Sequence, residues 1–408
     1  MSQHQAIIIG GGLVGGLTAL LLAKAGIQAT VLDASARLDE QQVVDRTDPR
    51  VLAINQASMR LMQHAGIWQH VQRYQPYSGM QVWNIDGMGE MMFGQASARQ
   101  PLAHDWLGCM VEPAILNLAI QMEIQNQIQD YRTQVRVTAL ERLPKLWRVT
   151  LASGEQLETP LVVGADGGNS FVRQQAGIGL DILNYRQTAI SCAIRTQNPH
   201  QHVARQIFLP TGPLAFLPMK SKQDEQQGQW QSVVWTLPED WADEYQQLSD
   251  DEFKQKLPQA SHYMLGEVEE VISRAAFPLI ARQAEHYVKE GLALVGDAAH
   301  VIHPLAGQGV NLGCLDAAVL VDCLVKDQQR GVWAHLQTLR QYEHKRRLHN
   351  SMMMHSMSAL GWLNAAQIKP LKWLRSEGMQ FVATKPNLVE FFNQQASGLS
   401  VLQQTRYI

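Results

Sequence analysis

The chain of 408 residues has few charged residues, few cysteines and no uninterrupted long hydrophobic run, and each scarcity argues against a class of protein. Only 17% of its residues are charged, and the formal net charge is 34 − 37 = −3, so it lacks the basic surplus of a general nucleic-acid-binding protein. Hydrophobic residues make up 46%, which excludes disorder as the main state. At about 150 residues per domain, the length favours two or three domains.

Cysteine is also scarce. The four cysteines form no C-x-x-C pair, which argues against a disulfide framework and against a zinc site. Four free thiols fit a reducing cytosol. We therefore expect a cytoplasmic protein without a metal.

No long hydrophobic run is well suited to crossing a membrane. Residues 6–23 carry no charge over 18 positions, but five glycines interrupt them and no Lys or Arg precedes them. The segment is therefore read neither as a membrane span nor as a secretory signal. We expect a protein that is soluble or at most peripheral at a membrane.

The first 33 residues carry a pattern typical of a nucleotide-binding βαβ unit. A buried-type strand at 6–9 leads into Gly10-x-Gly12-x-x-Gly15, a helix capped near Gly26, and a second strand at 29–32 that ends at Asp33. These glycines allow a tight turn, a close approach of backbone to a pyrophosphate, and close packing of helix on strand. Asp33 is placed to accept hydrogen bonds from ribose hydroxyls. The pattern predicts an adenine dinucleotide; the alternative is a purely structural turn.

Two later segments favour FAD over NAD. Residues 164–173 follow a buried strand at 161–163, and residues 296–313 follow one at 292–295. Each places an Asp, Asp166 or Asp297, at the carboxyl end of a strand, where ligands bind in open α/β sheets. Asp297 suits ribityl or sugar hydroxyls, and the glycines on either side of Gln308 bring backbone close to a flat ring. A helix beginning near Val310 would direct its positive end at that ring.

The rest of the chain predicts a second sheet and a helical end. Helical spacing is expected over 56–75, 111–130 and from about 313 onward, and residues 185–236 alternate with period two, typical of a mostly antiparallel sheet. The predicted organisation is a discontinuous FAD-binding domain (1–75, 101–180 and 277–330), a substrate domain (76–100 and 181–276) and a helical C-terminal region (331–408).

Three motifs in this order resemble the class A flavoprotein aromatic hydroxylases over residues 6 to about 345. The segment Asp48-Pro49-Arg50-Val51-Leu52-Ala53-Ile54 is similar to the family segment whose arginine, here Arg50, reaches the FAD. Within this family, the residues of the motifs are most similar to those of the ubiquinone-biosynthesis hydroxylases. The segments 80–83, 203–206 and 215–218 resemble the 2-polyprenylphenol hydroxylase branch, which oxidises ring position 5.

The chain departs from that family at two places. Asp33 stands where the family often has the longer Glu, and Glu112-Pro113-Ala114 stands where it often has Glu-Asn-Arg. Asp33 should still reach a ribose. An arginine contact near the pyrophosphate is therefore either absent or supplied from elsewhere in the chain.

The resemblance implies an α/β fold like that of para-hydroxybenzoate hydroxylase: a Rossmann-type FAD-binding domain, an antiparallel substrate domain and a helical C-terminal region. It implies FAD as cofactor, NAD(P)H as co-substrate, and oxygen transfer to a phenol ring through a flavin hydroperoxide. No catalytic acid or base is assigned. The expected cofactor-binding residues are Gly10, Gly12, Gly15, Asp33, Arg50, Asp166, Asp297, Gly307, Gly309, Val310 and Asn311.

The expected partners are a prenylated phenol and O2, with a ubiquinone-biosynthesis complex, a peripheral contact with the inner membrane and a homo-oligomer as further expectations; nucleic acid is not one of them. Two alternatives stay open: a flavin hydroxylase of a soluble aromatic compound, and a flavin-binding scaffold subunit. His300-x-x-His303 lacks an evident third metal ligand, so a structural or flavin-pocket role is favoured.

The C-terminal region allows two interpretations. It groups Met352, Met353, Met354 and Met357 near Trp362 and Leu363, with basic residues at Lys345, Arg346, Arg347, Lys369, Lys372 and Arg375. The methionines suit packing in the core or between subunits. With the basic residues they also suit contact with a lipid-bearing partner or a membrane surface.

Overall fold

The computed structural model describes residues 4–85, 90–94, 106–222, 228–302, 308–365 and 397–407. Several residues named above lie outside these ranges: Gly307, His303, Lys369, Lys372 and Arg375. The side chains of Met357, Trp362 and Leu363 also lie outside the description.

The strands of the described residues are labelled in chain order. They are β1 (Ala6–Ile9), β2 (Ala29–Leu32), β3 (Leu52–Asn55), β4 (Gln75–Tyr77), β5 (Gly79–Asn84), β6 (Glu90–Gly94), β7 (Gly108–Val111), β8 (Asp130–Arg132), β9 (Val137–Arg142), β10 (Trp147–Leu151), β11 (Gln156–Thr159), β12 (Val162–Gly164), β13 (Leu180–Thr196), β14 (Val203–Leu209), β15 (Gly212–Pro218), β16 (Trp230–Pro238), β17 (Val268–Ala284), β18 (Val288–Lys289), β19 (Leu292–Leu294) and β20 (His300–Val301).

The helices are labelled in the same way. They are α1 (Leu13–Lys24), α2 (Glu40–Asp45), α3 (Gln56–His64), α4 (Pro113–Gln127), α5 (Phe171–Gln175), α6 (Glu239–Gln247), α7 (Asp250–Ala260), α8 (Gly309–Gln329), α9 (Leu336–Ala365) and α10 (Leu399–Leu402), with 3-10 turns at Trp68–His70 and Gly296–Ala298.

A six-stranded sheet forms the nucleotide-binding half, in the order β18-β19-β12-β1-β2-β8. Its central strands are parallel, and β1 lies between β12 and β2 with Ile8 opposite Val163 and Val31. These short strands are almost entirely apolar because both of their faces are buried, in one hydrophobic cluster that also contains residues of α1, α8, β10 and β11. The sheet brings the carboxyl ends of β1, β2, β12 and β19 to one edge, and the predicted βαβ opening is confirmed.

An eight-stranded sheet forms the other half, in the order β20-β17-β13-β16-β15-β14-β5-β6. All neighbouring strands are antiparallel except β14 and β5, which are parallel. The segments expected from period-two alternation all lie within β13 to β16. One face of this sheet packs a hydrophobic cluster with α6 and α7, including Phe253, Leu257 and Trp235. The other face is left for a cavity.

The helix predicted over 56–75 is wrong beyond His64. Gly66 adopts φ +85°, a left-handed conformation that ends the helix, and the chain continues through a 3-10 turn into β4. The helix expected over 111–130 is observed as α4. Helices α6 and α7, the second with a Ser249/Glu252 capping box, were not expected from the sequence.

Two kinds of feature are absent from the described ranges. None of the helices there combines the length and the apolar character that crossing a bilayer requires. Within the same ranges, no three His, Cys, Asp or Glu side chains are grouped in a way that could hold a metal ion.

Candidate active site

The turn between β1 and α1 is built around three glycines. A Cβ on Gly10 would lie 2.3 Å from the carbonyl oxygen of Ala165, and one on Gly15 would lie 1.9 Å from the carbonyl oxygen of Gly10. Gly12 is different, because a Cβ there would meet no atom within 4 Å and the residue lines a cavity. Gly10 and Gly15 thus allow close backbone packing, whereas Gly12 keeps space open at the start of α1.

Asp33 lies beside this turn at the end of β2. Its Oδ2 accepts a hydrogen bond from the Gly11 N–H at 2.6 Å, and its Oδ1 accepts one from the Ser35 N–H at 2.7 Å. Each carboxylate oxygen has two lone pairs, so acceptor capacity remains for a ligand hydroxyl. The side chain is half-buried, which leaves it accessible at the predicted position.

The second motif follows β12. Ala165 and Gly167 line the cavity, but the Asp166 carboxylate is directed to α5, where it accepts from the Ser170 hydroxyl at 2.5 Å and from the Val172 N–H at 3.0 Å. Ser170 caps the same helix. The structure therefore uses the Asp166 side chain to shape the loop, and the cavity receives the loop's backbone.

The third motif places Asp297 in the cavity wall, directly after β19. Asp297 is exposed at the cavity, although protein atoms surround its carboxyl group on most sides. Burial raises the pKa of the Asp297 carboxyl, and Asp316 adds to the rise while His300 opposes it. A carboxylate in such a position gains stability from hydroxyl donors, which makes a polyol chain a suitable ligand.

Helix α8 begins at the same cavity. Gly309 and Val310 line it, so the first turn of this long helix presents backbone N–H groups and the positive end of its dipole. The Asn311 side chain points elsewhere: it accepts from the Asn55 N–H and the Ser58 hydroxyl and donates to the Ala53 carbonyl oxygen. Asn311 thus fixes α8 against the β3–α3 region, and it is not among the residues that line the cavity.

A buried ionic network lies behind Asp297, and sequence reasoning missed it. Asp316 is fully buried and accepts from Arg346 Nε at 2.7 Å and from the Gly296 N–H at 3.1 Å, and His300 Nε2 lies 2.5 Å from its Oδ2. Burial by itself would raise the pKa of Asp316, but His300 and Arg346 lower it to about 2. His300, the predicted structural or flavin-pocket residue, is thus part of the support of the Asp297 loop.

A second buried pair joins Arg73 to Glu112, the residue at the start of the segment that lacks the family's arginine. Arg73 donates to Glu112 from Nε at 2.5 Å and from Nη2 at 3.0 Å, and Glu112 also accepts from the Asp48 N–H at 2.6 Å. This holds the Asp48–Arg50 segment in place. Arg73 is 39 positions away from Glu112, so no local signal joins them.

Arg50 and Phe277 lie where the two halves of the molecule meet. The Arg50 guanidinium carbon is 6.0 Å from the centre of the Phe277 ring, and both residues line the cavity. Arg50 is exposed, so its charge is available to an anionic group. Arg173, by contrast, links the second and third motifs by donating to the carbonyl oxygens of Gly168 and Ala298.

One cavity of about 590 Å³ brings parts of the three motifs together, but Asp33 and Asp166 are not among the residues that line it. Gly12, Arg50, Asp297, Gly309 and Val310 lie along one side of it. The other side is the inner face of the eight-stranded sheet, which contributes mainly small and apolar side chains. Open space at Gly12, the accessible Asp297 carboxylate and the first turn of α8 fit the phosphate, ribityl and ring portions of FAD.

Comparison with known proteins agrees with this chemistry. Residues 3–356 match the protein family described as "FAD binding domain". The chain is 35% identical over 380 residues to a 3-demethoxyubiquinol 3-hydroxylase of Escherichia coli, covering 92% of this chain and 93% of that protein. It is 36% identical over 399 residues to the ubiquinone hydroxylase UbiL of Rhodospirillum rubrum, covering 97% and 89% respectively.

A solved structure supports the fold assignment. The p-nitrophenol 4-monooxygenase PnpA of Pseudomonas putida superposes with a TM-score of 0.74 at 16% identity, covering 97% of this chain and 98% of that one. The predicted α/β architecture of the class A hydroxylases is therefore confirmed, and the family match confirms FAD as the cofactor. The chain belongs to the FAD-binding-domain family and, within it, to the FAD-dependent monooxygenases of ubiquinone biosynthesis.

Proposed function

We propose that this monooxygenase hydroxylates the ring of a polyprenylated phenol, with NAD(P)H and O2 as co-substrates. The observation that carries the proposal is the single cavity of about 590 Å³, which has the glycine-rich cradle on one side and the sheet wall on the other. A ring held against the sheet would face the cofactor directly. The relatives named as ubiquinone hydroxylases support a substrate of this class.

We assign the adenosine and pyrophosphate end of FAD to the first motif. Gly12 and the start of α1 would receive the pyrophosphate, because the space there is open and the helix end is positive. Asp33 would accept from the adenosine ribose. Gly10 and Gly15 would act through the shape of the turn.

We assign the ribityl chain and the ring to the other motifs. Asp297 would accept from ribityl hydroxyls, and Arg50 would lie near the ribityl–pyrophosphate region. The backbone of Gly309 and Val310 would face the isoalloxazine ring. Asp166 would act indirectly, by shaping the loop that lines the cavity.

Bound FAD supplies the redox chemistry, since it takes up reducing equivalents from NAD(P)H and activates O2. The chain's own contribution is to hold the phenol ring, to keep water out of the cavity and to place the positive end of α8 beside the ring system. No side chain is assigned as a catalytic acid or base.

The substrate's tail adds a requirement. A polyprenyl chain is strongly apolar and resides in membranes, so we propose a peripheral contact between this protein and the membrane. Flotation of the purified protein with anionic-lipid vesicles would test it. Recovery of all the protein at the bottom of the gradient, at low salt and with substrate present, would argue against that contact.

Tail length provides the test of the substrate class. The FAD-loaded protein is supplied with phenols that carry the same ring and either no tail, a geranyl tail or a longer tail, and both NADPH oxidation and hydroxylated product are measured. We expect product formation to rise with tail length. Equal turnover of the tailless phenol would favour a hydroxylase of soluble aromatics. Bound FAD without any substrate-stimulated NADPH oxidation would favour a scaffold subunit.

A deletion strain tests the position on the ring. The sequence resemblance to the 2-polyprenylphenol hydroxylase branch predicts that the strain accumulates a prenylphenol lacking the oxygen at position 5. Accumulation of an intermediate that already carries this oxygen would assign a different ring position, and normal quinone levels would contradict the pathway.

A further inference from the structure

The cavity side of the eight-stranded sheet contains a row of four residues on adjacent strands. The strand register places Ser191 of β13 opposite Val234 of β16, Val234 opposite Ala215 of β15, and Ala215 opposite Gln206 of β14. All four line the cavity. Three strand spacings of about 4.8 Å separate the two ends of this row.

The alternation of side chains fixes the direction in which the row points. On each of the four strands the sequence neighbours of the row belong to the hydrophobic cluster on the opposite face, namely Ile190, Val233, Leu214 and Ile207. Since successive side chains on a strand point to opposite faces, the row points into the cavity.

The polar members of the row stand at its two ends. The Ser191 side chain is completely buried, and its hydroxyl has no hydrogen-bond partner in the part of the chain that the structure describes. Gln206 is 8% exposed and lines the cavity, and its amide is not among the fully buried atoms that lack a partner in the described part of the chain. A buried polar group without a partner costs about 1–3 kcal/mol, so the Ser191 hydroxyl is suited to a ligand that supplies one. The Gln206 amide does not carry this cost, but it can bond to a ligand in the cavity.

A third polar residue of the same wall shows the contrast. The Ser232 hydroxyl donates to the carbonyl oxygen of Pro49 at 2.7 Å, so its hydrogen-bonding need is met within the protein. The Ser191 hydroxyl, by contrast, has no such hydrogen bond to a described residue. Between the polar ends, Val234 and Ala215 offer a small, flat apolar surface on which an aromatic ring can lie.

We propose that Ser191 and Gln206 bind two different oxygen substituents of the substrate ring, which lies over Val234 and Ala215. This proposal rests on the proposed function, since it specifies the class of phenol that the cavity accepts. The subsite favours a substrate that carries a second ring oxygen, a hydroxyl or methoxy group, in addition to the phenolic hydroxyl. A 2-polyprenylphenol has a single ring oxygen, so a substrate of this kind belongs to a later ring hydroxylation than the one that the sequence resemblance suggests. The pair thereby selects the orientation in which the ring faces the cofactor.

The test uses the FAD-loaded full chain and three probes. They are a geranyl-substituted methoxyphenol, the same compound without the phenolic hydroxyl, and the same compound without the methoxy group. Binding is measured through the change in flavin absorbance, and KM and kcat are measured with NADPH. We expect Ser191→Ala to reduce discrimination for one of the two oxygens by roughly 3- to 10-fold and Gln206→Leu to reduce it for the other.

The control is Ser232→Ala, which removes a hydroxyl from the same wall. Because that hydroxyl already bonds to Pro49, the ratios between the three probes should stay at their wild-type values. Ser191→Cys, of nearly the same volume but a weak hydrogen bonder, serves if the alanine variant does not fold. It should lose the same discrimination.

Two outcomes distinguish a failure of the subsite from a failure of the proposed function. If the Ser191 and Gln206 variants keep the wild-type ratios for both oxygens, the subsite is wrong while the proposed function stands. If the wild-type protein with FAD binds none of the probes and oxidises no extra NADPH with them, the proposed function itself fails.

Discussion

The two sheets of this protein build their sides of the cavity by different means. The six-stranded sheet contributes turns in which backbone groups and helix ends face the cavity. Apart from Asp297, the residues of these turns that line the cavity are glycines or carry apolar side chains. The eight-stranded sheet contributes side chains from strands that alternate between a packed face and an open one. The first side depends on local backbone geometry, and the second depends on register.

The largest expected effect concerns the support of the nucleotide-binding side. Asp316→Ala leaves Arg346 and His300 without their buried carboxylate, and breaking a buried ion pair costs about 3–5 kcal/mol. Urea unfolding of the apoprotein should show a loss of this size. Asp322→Ala is the control in the same helix, because its partners Lys326 and Arg406 are partly exposed, and its loss should be smaller. Equal losses would contradict the central role of the network.

The next prediction compares two glycines of one turn: Gly15, which allows close backbone packing, and Gly12, which keeps space open for the ligand. In Gly15→Ala the new Cβ would meet the Gly10 carbonyl oxygen at 1.9 Å, so we expect a loss of about 3 kcal/mol or more in the free energy of unfolding. Gly12→Ala meets nothing, so its thermal midpoint should stay near that of the wild type while FAD binding weakens. Titration of the apoproteins with FAD and their melting curves give both quantities. Gly12→Ala with wild-type FAD affinity would refute the role of Gly12.

A third prediction compares the two aspartates that the sequence treats alike. Asp297→Ala should weaken FAD binding by roughly 10- to 100-fold with little effect on folding, since its carboxylate faces the cavity. Asp166→Ala should instead cost about 1 kcal/mol of stability, because the carboxylate bonds the first turn of α5. Flavin content and thermal midpoints distinguish the two. A stoichiometric, tightly bound FAD in Asp297→Ala would contradict the assignment.

The last prediction concerns the antiparallel side, and its effect is the smallest when it is expressed per pH unit. It is the dependence of the free energy of unfolding on acid pH. Burial lowers the pKa of His200 to about 4, with His202 and Arg205 adding to the shift, whereas an unfolded histidine titrates near 6.5. The unfolded state then binds more protons between these values, so stability falls as the pH drops from about 6.5 to 4. His200→Gln should reduce this slope by up to about 1.4 kcal/mol per pH unit. Unfolding free energies measured at several pH values would show it, and an unchanged slope would contradict it.

Much of the nucleotide-binding side could be predicted because its signals are local. The glycine spacing, the apolar strands and Asp33 lie within one βαβ unit, where backbone geometry demands particular residues at fixed positions. The same reasoning treated Asp166 and Asn311 as ligands, whereas both side chains bond to the protein itself. A motif indicates that a loop matters, but it does not tell which way each side chain points.

The sequence by itself determined the βαβ opening, the order of the three motifs and the alternation of the second sheet, since each follows from residues near one another in the chain. Only the tertiary structure decided the pairing of Asp316 with Arg346, of Glu112 with Arg73, and the row from Ser191 to Gln206. These contacts join distant segments, and their partners are chosen by strand register and helix packing. Neither is encoded in any single stretch of sequence.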